Sequence, residues 1–276
     1  MNKRSKTQTA RVDDDIDQDL DKHHQISKSW KDAVDIYSYI YANCGDPAFD
    51  IRLCVPCTYS GVRVWVNHQQ DFILKLKDHL LGQLLNWDYE GDTYGNFTED
   101  ERNTICISGN QVYRCRTMQI NYTTYDVRRD GDVINPQVSP DIMVNSPEIG
   151  LEAQPYWYAR IIGIFHAYIL TTHLDVPVGG RILRLMDFLW VCWFGMEPSP
   201  YRHRFYHACL PKIGFVELSD NYTFTFLDPA QVIRGAHIIP AFSNKCISAL
   251  LPVTRSVACV LNPDEEDDWV NFYVNM

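Results

Sequence analysis

Three groups of residues in this 276-residue chain have the types and spacing to support chemistry. Cys54-Val-Pro-Cys57 has the two-residue gap of a zinc knuckle or a redox dithiol. Tetrahedral zinc needs four ligands. Cys44 and His68 are the nearest candidates and no second Cys-x-x-Cys occurs, so the pair reads as incidental thiols. His203-Arg-Phe-Tyr-His207-Ala-Cys209 carries histidines at i and i+4, which would share a metal on a helix. Pro198, Pro200 and Pro211 around it argue for a loop instead. That loop is either a small basic, aromatic patch suited to phosphate or a solvated connection. Asp126, Asp130 and Asp132 are close in sequence but lack the oxygen-ligand spacing of a calcium loop, and read as a solvated turn. His166, in an apolar run, reads as a core histidine.

No nucleophile elbow, phosphate-binding loop, dinucleotide fingerprint or His-Glu-x-x-His occurs. Acid–base catalysis needs paired groups held together in a cleft, and nothing in the sequence nominates such a pair. The expectation is a protein that is not an enzyme, with no cofactor and no metal.

Composition sets the frame for these residues. Apolar residues make up 46% and charged residues 22%, as in an ordinary soluble protein. Aromatics reach 13%, with seven Trp and sixteen Tyr, which favours β architecture and aromatic binding surface. Five of the net -10 charges fall in the run Asp264-Glu-Glu-Asp-Asp268, so contact with nucleic acid would need a local basic patch. No apolar stretch reaches membrane-spanning length, and no membrane partner is expected. The chain opens Met1-Asn-Lys-Arg-Ser-Lys-Thr without an apolar signal segment. Its nine cysteines then read as reduced thiols of an intracellular protein, and its three Asn-x-Thr triplets carry no weight.

The elements that must position any site centre on residues 155–195. Tyr156 to Leu170 and Met186 to Gly195 are dense in β-branched and aromatic residues, with turn residues at Val176-Pro-Val-Gly-Gly180 between them. They read as two long antiparallel strands. Their apolar content is nearly continuous on both faces, which points to a barrel or sandwich core. Asp71 to Trp87 reads as one amphipathic helix with a core-facing stripe of Phe72, Ile73, Leu76, Leu80, Leu84 and Leu85, and Asp71 as its N-cap. Thr98-Glu-Asp-Glu101 has the form of a capping box. Gly109-Asn110 suggests a hairpin between Ile105–Ser108 and Gln111–Arg116. Residues 118–127 are β-prone, Arg128–Asp132 a polar turn, and 135–155 a long surface connection. Short strands follow near 214–216, 222–226, 232–239 and 269–276.

With the residues laid out, the chain from about Asp71 to Met276 resembles a segment that accompanies basidiomycete transposases of the Plavaka and KDZ type. The resemblance rests on Lys75-Leu-Lys-Asp-His-Leu-Leu, Ile120-Asn-Tyr-Thr-Thr-Tyr-Asp-Val-Arg-Arg-Asp130, Tyr156-Trp-Tyr-Ala-Arg-Ile-Ile-Gly-Ile-Phe-His166, Phe188-Leu-Trp-Val-Cys-Trp-Phe-Gly195, Leu210-Pro-Lys-Ile-Gly-Phe-Val216 and the stretch from Phe226 to Phe242. Cys192 stands where that pattern has Arg, the sequence diverges after Phe242, and relatives run on past Tyr273-Val-Asn-Met276. The resemblance therefore implies a truncated copy without the transposase's metal-binding carboxylates. The order of these motifs also looks like a bromo-adjacent homology (BAH) domain, a β-rich module that binds chromatin and partner proteins.

The combined expectation is a β-rich α+β protein, a small antiparallel β-barrel or sandwich of BAH-like form with one helix at about 71–87. Residues 1–28 form a disordered tail, 29–262 a single β-rich domain with its BAH-like core at about 118–245, and 263–276 an acidic segment with a terminal strand. The function expected is a non-catalytic protein or chromatin interaction module derived from a fungal transposon-encoded protein, intracellular and nuclear. The BAH resemblance implies that Tyr156, Trp157, Trp190, Trp193 and Phe194 include members of an aromatic peptide-binding cage, with core packing as the plainer role. The alternatives are a nucleic-acid-binding accessory domain of a transposase using Arg128, Arg129, Arg202, Arg204 and Lys212, and an independent enzyme.

Overall fold

The computed structural model describes residues 23–27, 33–36, 38, 58–59, 62–63, 68–87, 97–126, 128–150, 153–197, 210–217, 220, 222–244, 246–247 and 268–275. Cys44, Cys54 and Cys57, the segment around His203 and His207, the acidic run up to residue 267 and the first 22 residues lie outside that set. In chain order the strands are β1 (His24–Ile26), β2 (Ala33–Asp35), β3 (Thr58–Tyr59), β4 (Val62–Arg63), β5 (Ile105–Ile107), β6 (Gln111–Cys115), β7 (Met118–Thr123), β8 (Arg129–Ile134) and β9 (Asp141–Asn145). They continue as β10 (Tyr156–Thr171), β11 (Arg184–Met196), β12 (Lys212–Phe215), β13 (Phe224–Leu227), β14 (Val232–Gly235), β15 (His237–Pro240), β16 (Cys246–Ile247), β17 (Asp268–Trp269) and β18 (Asn271–Asn275). The α-helices are α1 (His68–Leu84) and α2 (Glu99–Asn103).

The expected long hairpin is the spine. β10 pairs antiparallel with β11 from Tyr158↔Phe194 to Ile169↔Arg184. Both strands are far longer than their other partners, so each hands its outer edge along a series. β10 meets β9, then β6, then β5, while β11 meets β13 and β12. Alternation explains the apolar content on both faces. Phe188, Trp190 and Cys192 pack toward α1 with Phe72, Leu76 and Leu80. Leu189, Val191 and Trp193 pack with Met118, Ile120 and Ile134 of the smaller sheet β1-β7-β8. The spine is thus sandwiched between a helix and a second sheet, which suits strands buried on both sides.

The protein is β-rich and antiparallel, as the sequence implied, but the large sheet is not a closed barrel. Seven of its eleven strands form a path whose ends are β14 and β15, with β2, β5, β6 and β13 pairing off it, and those ends are joined through Ala236 in the chain rather than by a ladder. The remaining differences are local. α1 starts at His68, so Asp71 lies inside the helix and is not its cap. It stops where Asn86 takes φ 52°, with Trp87 N–H donating to Gly82 O at 2.9 Å and Asn86 N–H to Gln83 O. That is a Schellman stop, with asparagine in glycine's usual place. β5 and β6 do not pair with each other. Gly109 and Asn110, at φ 63° and 53°, let the chain jog so that both strands lie along the same edge of β10. The polar turn at 128–132 is mostly strand β8, and the proline-rich connection contains β9, which pairs with both β10 and β14.

Candidate functional site: a tyrosine and aspartate pocket

Two sheet edges meet beside the end of the spine. β14 ends the large sheet and β8 ends the small one. No ladder joins them. Instead Gly235 N–H donates to Asp132 Oδ2 at 2.9 Å, and Tyr122 O–H donates to Asp132 Oδ1 at 3.3 Å. Arg234 reaches the same carboxylate at 3.6 Å, and its guanidinium lies 4.9 Å from the Tyr122 ring centre. A cavity of about 400 Å³ opens at this junction, lined by Asp132, Asp141, Met143, Tyr156, Tyr158 and Arg234 among others.

The strand period builds the rest of the wall. Tyr156, Tyr158 and Arg160 alternate along β10 and share a face. Arg160 is opposite Asp141 in the β9 register, and its Nε donates to Asp141 Oδ1 at 2.8 Å. The two side chains are only 13% and 10% exposed. Behind the pair, the Arg160 guanidinium sits 5.2–5.6 Å from the ring centres of Phe194, Phe215 and Phe272. Burial raises the Tyr158 pKa above the ordinary phenol value, with Tyr156 adding to the shift, so Tyr158 remains a hydroxyl donor near neutral pH. Each carboxylate of the pocket faces an arginine. This arrangement offers donors, acceptors and aromatic faces to a ligand, and His237 lines the same cavity.

The five aromatic candidates do not converge on one cage. Tyr156 lines the pocket. Trp157 and Trp193 meet edge to face at 5.9 Å with the apolar layer under β7 and β8, and Trp193 Nε1 donates to Thr225 Oγ1. Trp190 packs on the α1 side, in contact with Phe72 and Phe226. Phe194 belongs to the ring set that encloses Arg160. Of the basic candidates, Arg128 is exposed and pairs with Asp126 at 2.9 Å, and Arg129 begins β8 beside Asp130. Lys212 is partly buried on β12 in the other sheet, while Arg202 and Arg204 lie outside the described residues.

Sequence reasoning missed Asp141, Tyr158 and Arg234, and placed Asp132 in a solvated turn. Tyr158 lies two residues from Tyr156 on the expected strand, so a period of two is the signal that could have found it. Asp132 and Asp141 were hidden because the segments bearing them were read as a turn and a surface connection. Among the described residues no group of three His, Cys, Asp or Glu side chains is placed to hold a metal, and no helix is long and apolar enough to cross a membrane. Comparison with known proteins finds no family model, no curated protein and no solved structure that matches this chain.

Proposed function

We propose that this chain is a non-catalytic interaction module that binds a protein partner, of the chromatin class, and that it derives from a fungal transposon-encoded protein of the Plavaka and KDZ type. The transposon origin and BAH-like character rest on the resemblance of the sequence motifs. Nuclear placement goes with that reading. The single observation that carries the binding role is the pocket between β8, β9, β10 and β14. It is concave, carries apolar and aromatic surface from Met143 and Tyr156, and has a few convergent polar groups, the composition that holds a ligand in a fixed orientation. Its carboxylates are engaged with Arg160 and Arg234, which suits recognition better than proton transfer.

The test is titration of the full chain with core histones and, separately, with duplex DNA at low and high salt. The expected result is histone binding that is lost in Tyr156→Ala and depends weakly on salt. Binding to DNA alone, with a steep salt slope and no response to Tyr156→Ala, overturns this reading in favour of a nucleic-acid accessory domain.

A further inference from the structure

Cys115 of β6 and His166 of β10 face the layer beneath the small sheet, away from the pocket. Cys115 Sγ lies 3.3 Å from His166 Nδ1, and the two residues are 3% and 7% exposed. Register fixes their neighbours. His166 is opposite Tyr113 on β6 and Asp187 on β11, and the Tyr113 ring stacks on the imidazole at 5.0 Å. From β1, His24 Nε2 reaches Asp187 Oδ2 at 3.8 Å. Burial lowers the His166 pKa, with Asp187 opposing, so the imidazole is neutral, and its Nε2–H tautomer leaves Nδ1 as an acceptor facing the thiol. The cover over this pair is slight. β1 has three residues, forms the outer edge of its sheet, and contributes Ile26 to the cluster that contains Cys115. A short edge strand opens at low free energy, well below global unfolding.

We propose that Cys115 is a modifiable thiol that forms mixed disulfides with small disulfides of the glutathione class when β1 lifts, with His166 as its proton acceptor. The Sγ–H proton passes to Nδ1 and the sulfur attacks the reagent's S–S bond. The new Cys115 S–S bond forms as the old one breaks, and the departing thiolate takes its proton from the imidazolium. A base within hydrogen-bond reach sets Cys115 apart from Cys106, which is exposed on β5 and serves as the internal reference.

The experiment treats the full chain with oxidised glutathione under native conditions and follows each cysteine by peptide mass spectrometry. The Cys115 adduct is expected, and the Cys115 to Cys106 rate ratio should rise as pH falls from about 8.5 toward 7, because unassisted thiols lose their thiolate over that range. His166→Gln should slow Cys115 by ~10²-fold, and Ile26→Ala should speed it, with Cys106 unchanged in both. Consumption of Cys106 with Cys115 untouched, a ratio constant with pH, or a Cys115 rate indifferent to both substitutions overturns the proposal. If His166→Gln loses its native near-ultraviolet circular dichroism, the pH ratio of the unsubstituted chain decides.

Discussion

Arg160 and Asp141 face each other across the β9–β10 ladder at 2.8 Å, with the guanidinium enclosed by three phenylalanine rings. An aromatic cage around a cation therefore exists in this protein, and its occupant is internal. The pair ties β9 to the spine and, through Phe215 and Phe272, to β12 and β18 at the far end of the sheet. Ala236 N–H, donating to Asp141 O at 2.8 Å, fastens the β14–β15 junction to the same residue.

Breaking this pair from one side should be costly. Arg160→Ala strips a buried carboxylate of its arginine and opens space among the rings, and is expected to lower stability by roughly 3–5 kcal/mol in urea denaturation. The double replacement Arg160→Met with Asp141→Leu removes both charges and should recover most of that loss. A single variant no less stable than the double would mean the carboxylate is solvated, contrary to its 10% exposure.

Gly163 marks the register shift in β10, between Ile161 and Gly163. A Cβ there would stand 2.3 Å from the Phe165 ring. Phe165 is stacked on Phe188 in the helix-side core, so the ring cannot simply move away. Gly163→Ala should destabilise by about 1–3 kcal/mol, the usual range for overpacking. Phe165→Leu in the same background should recover part of it, and thermal unfolding of the parent and the two variants checks both effects.

What the sequence disclosed follows from where the determinants lie. The spine was legible because both faces of β10 and β11 are covered, which writes an unbroken apolar and aromatic run into the chain. α1 was legible from its leucine stripe, although its start was not: the capping signal at Asp71 was outweighed by residues upstream that continue the helix. β8 and β9 were obscured because Arg129-Asp-Gly-Asp132 and the prolines around 136–140 carry turn chemistry, while their pairing comes from β7 and β10, distant partners that no local window contains. The pocket inherits that blindness, since Asp132 and Asp141 sit on those two strands. Tyr156 was named through the BAH-like order of motifs, as one of five cage aromatics, and it is the one of the five that lines the pocket.

The capping box at α2 offers a local check. Thr98 Oγ1 accepts from Glu101 N–H at 3.3 Å, and Glu101 Oε2 accepts from Thr98 N–H at 2.7 Å. Thr98→Ala removes the side-chain half and should lower stability by about 1 kcal/mol. Thr98→Ser keeps the oxygen and should stay near the parent. Equal losses in both variants would assign the effect to the threonine methyl group instead of the cap.

His79 gives the protein a pH dependence of known sign. It lies on α1 and is 1% exposed, its ring 5.9 Å from that of Phe226. Burial pushes its pKa down from 6.5 to about 4, with Asp228 pulling the other way. As pH falls through 6.5 the unfolded chain takes up a proton at this residue, whereas the folded chain does not until about pH 4. Over that window the unfolded state binds more protons, so stability is intact above 6.5 and erodes toward 4, by roughly 3 kcal/mol in full. His166, lowered by burial as well, acts in the same direction. His79→Leu cannot titrate, so its stability should fall less between pH 7 and about 5 than that of the parent when both are measured by urea denaturation. Parallel losses in the two proteins over that interval would show that His79 is not the residue that sets the slope.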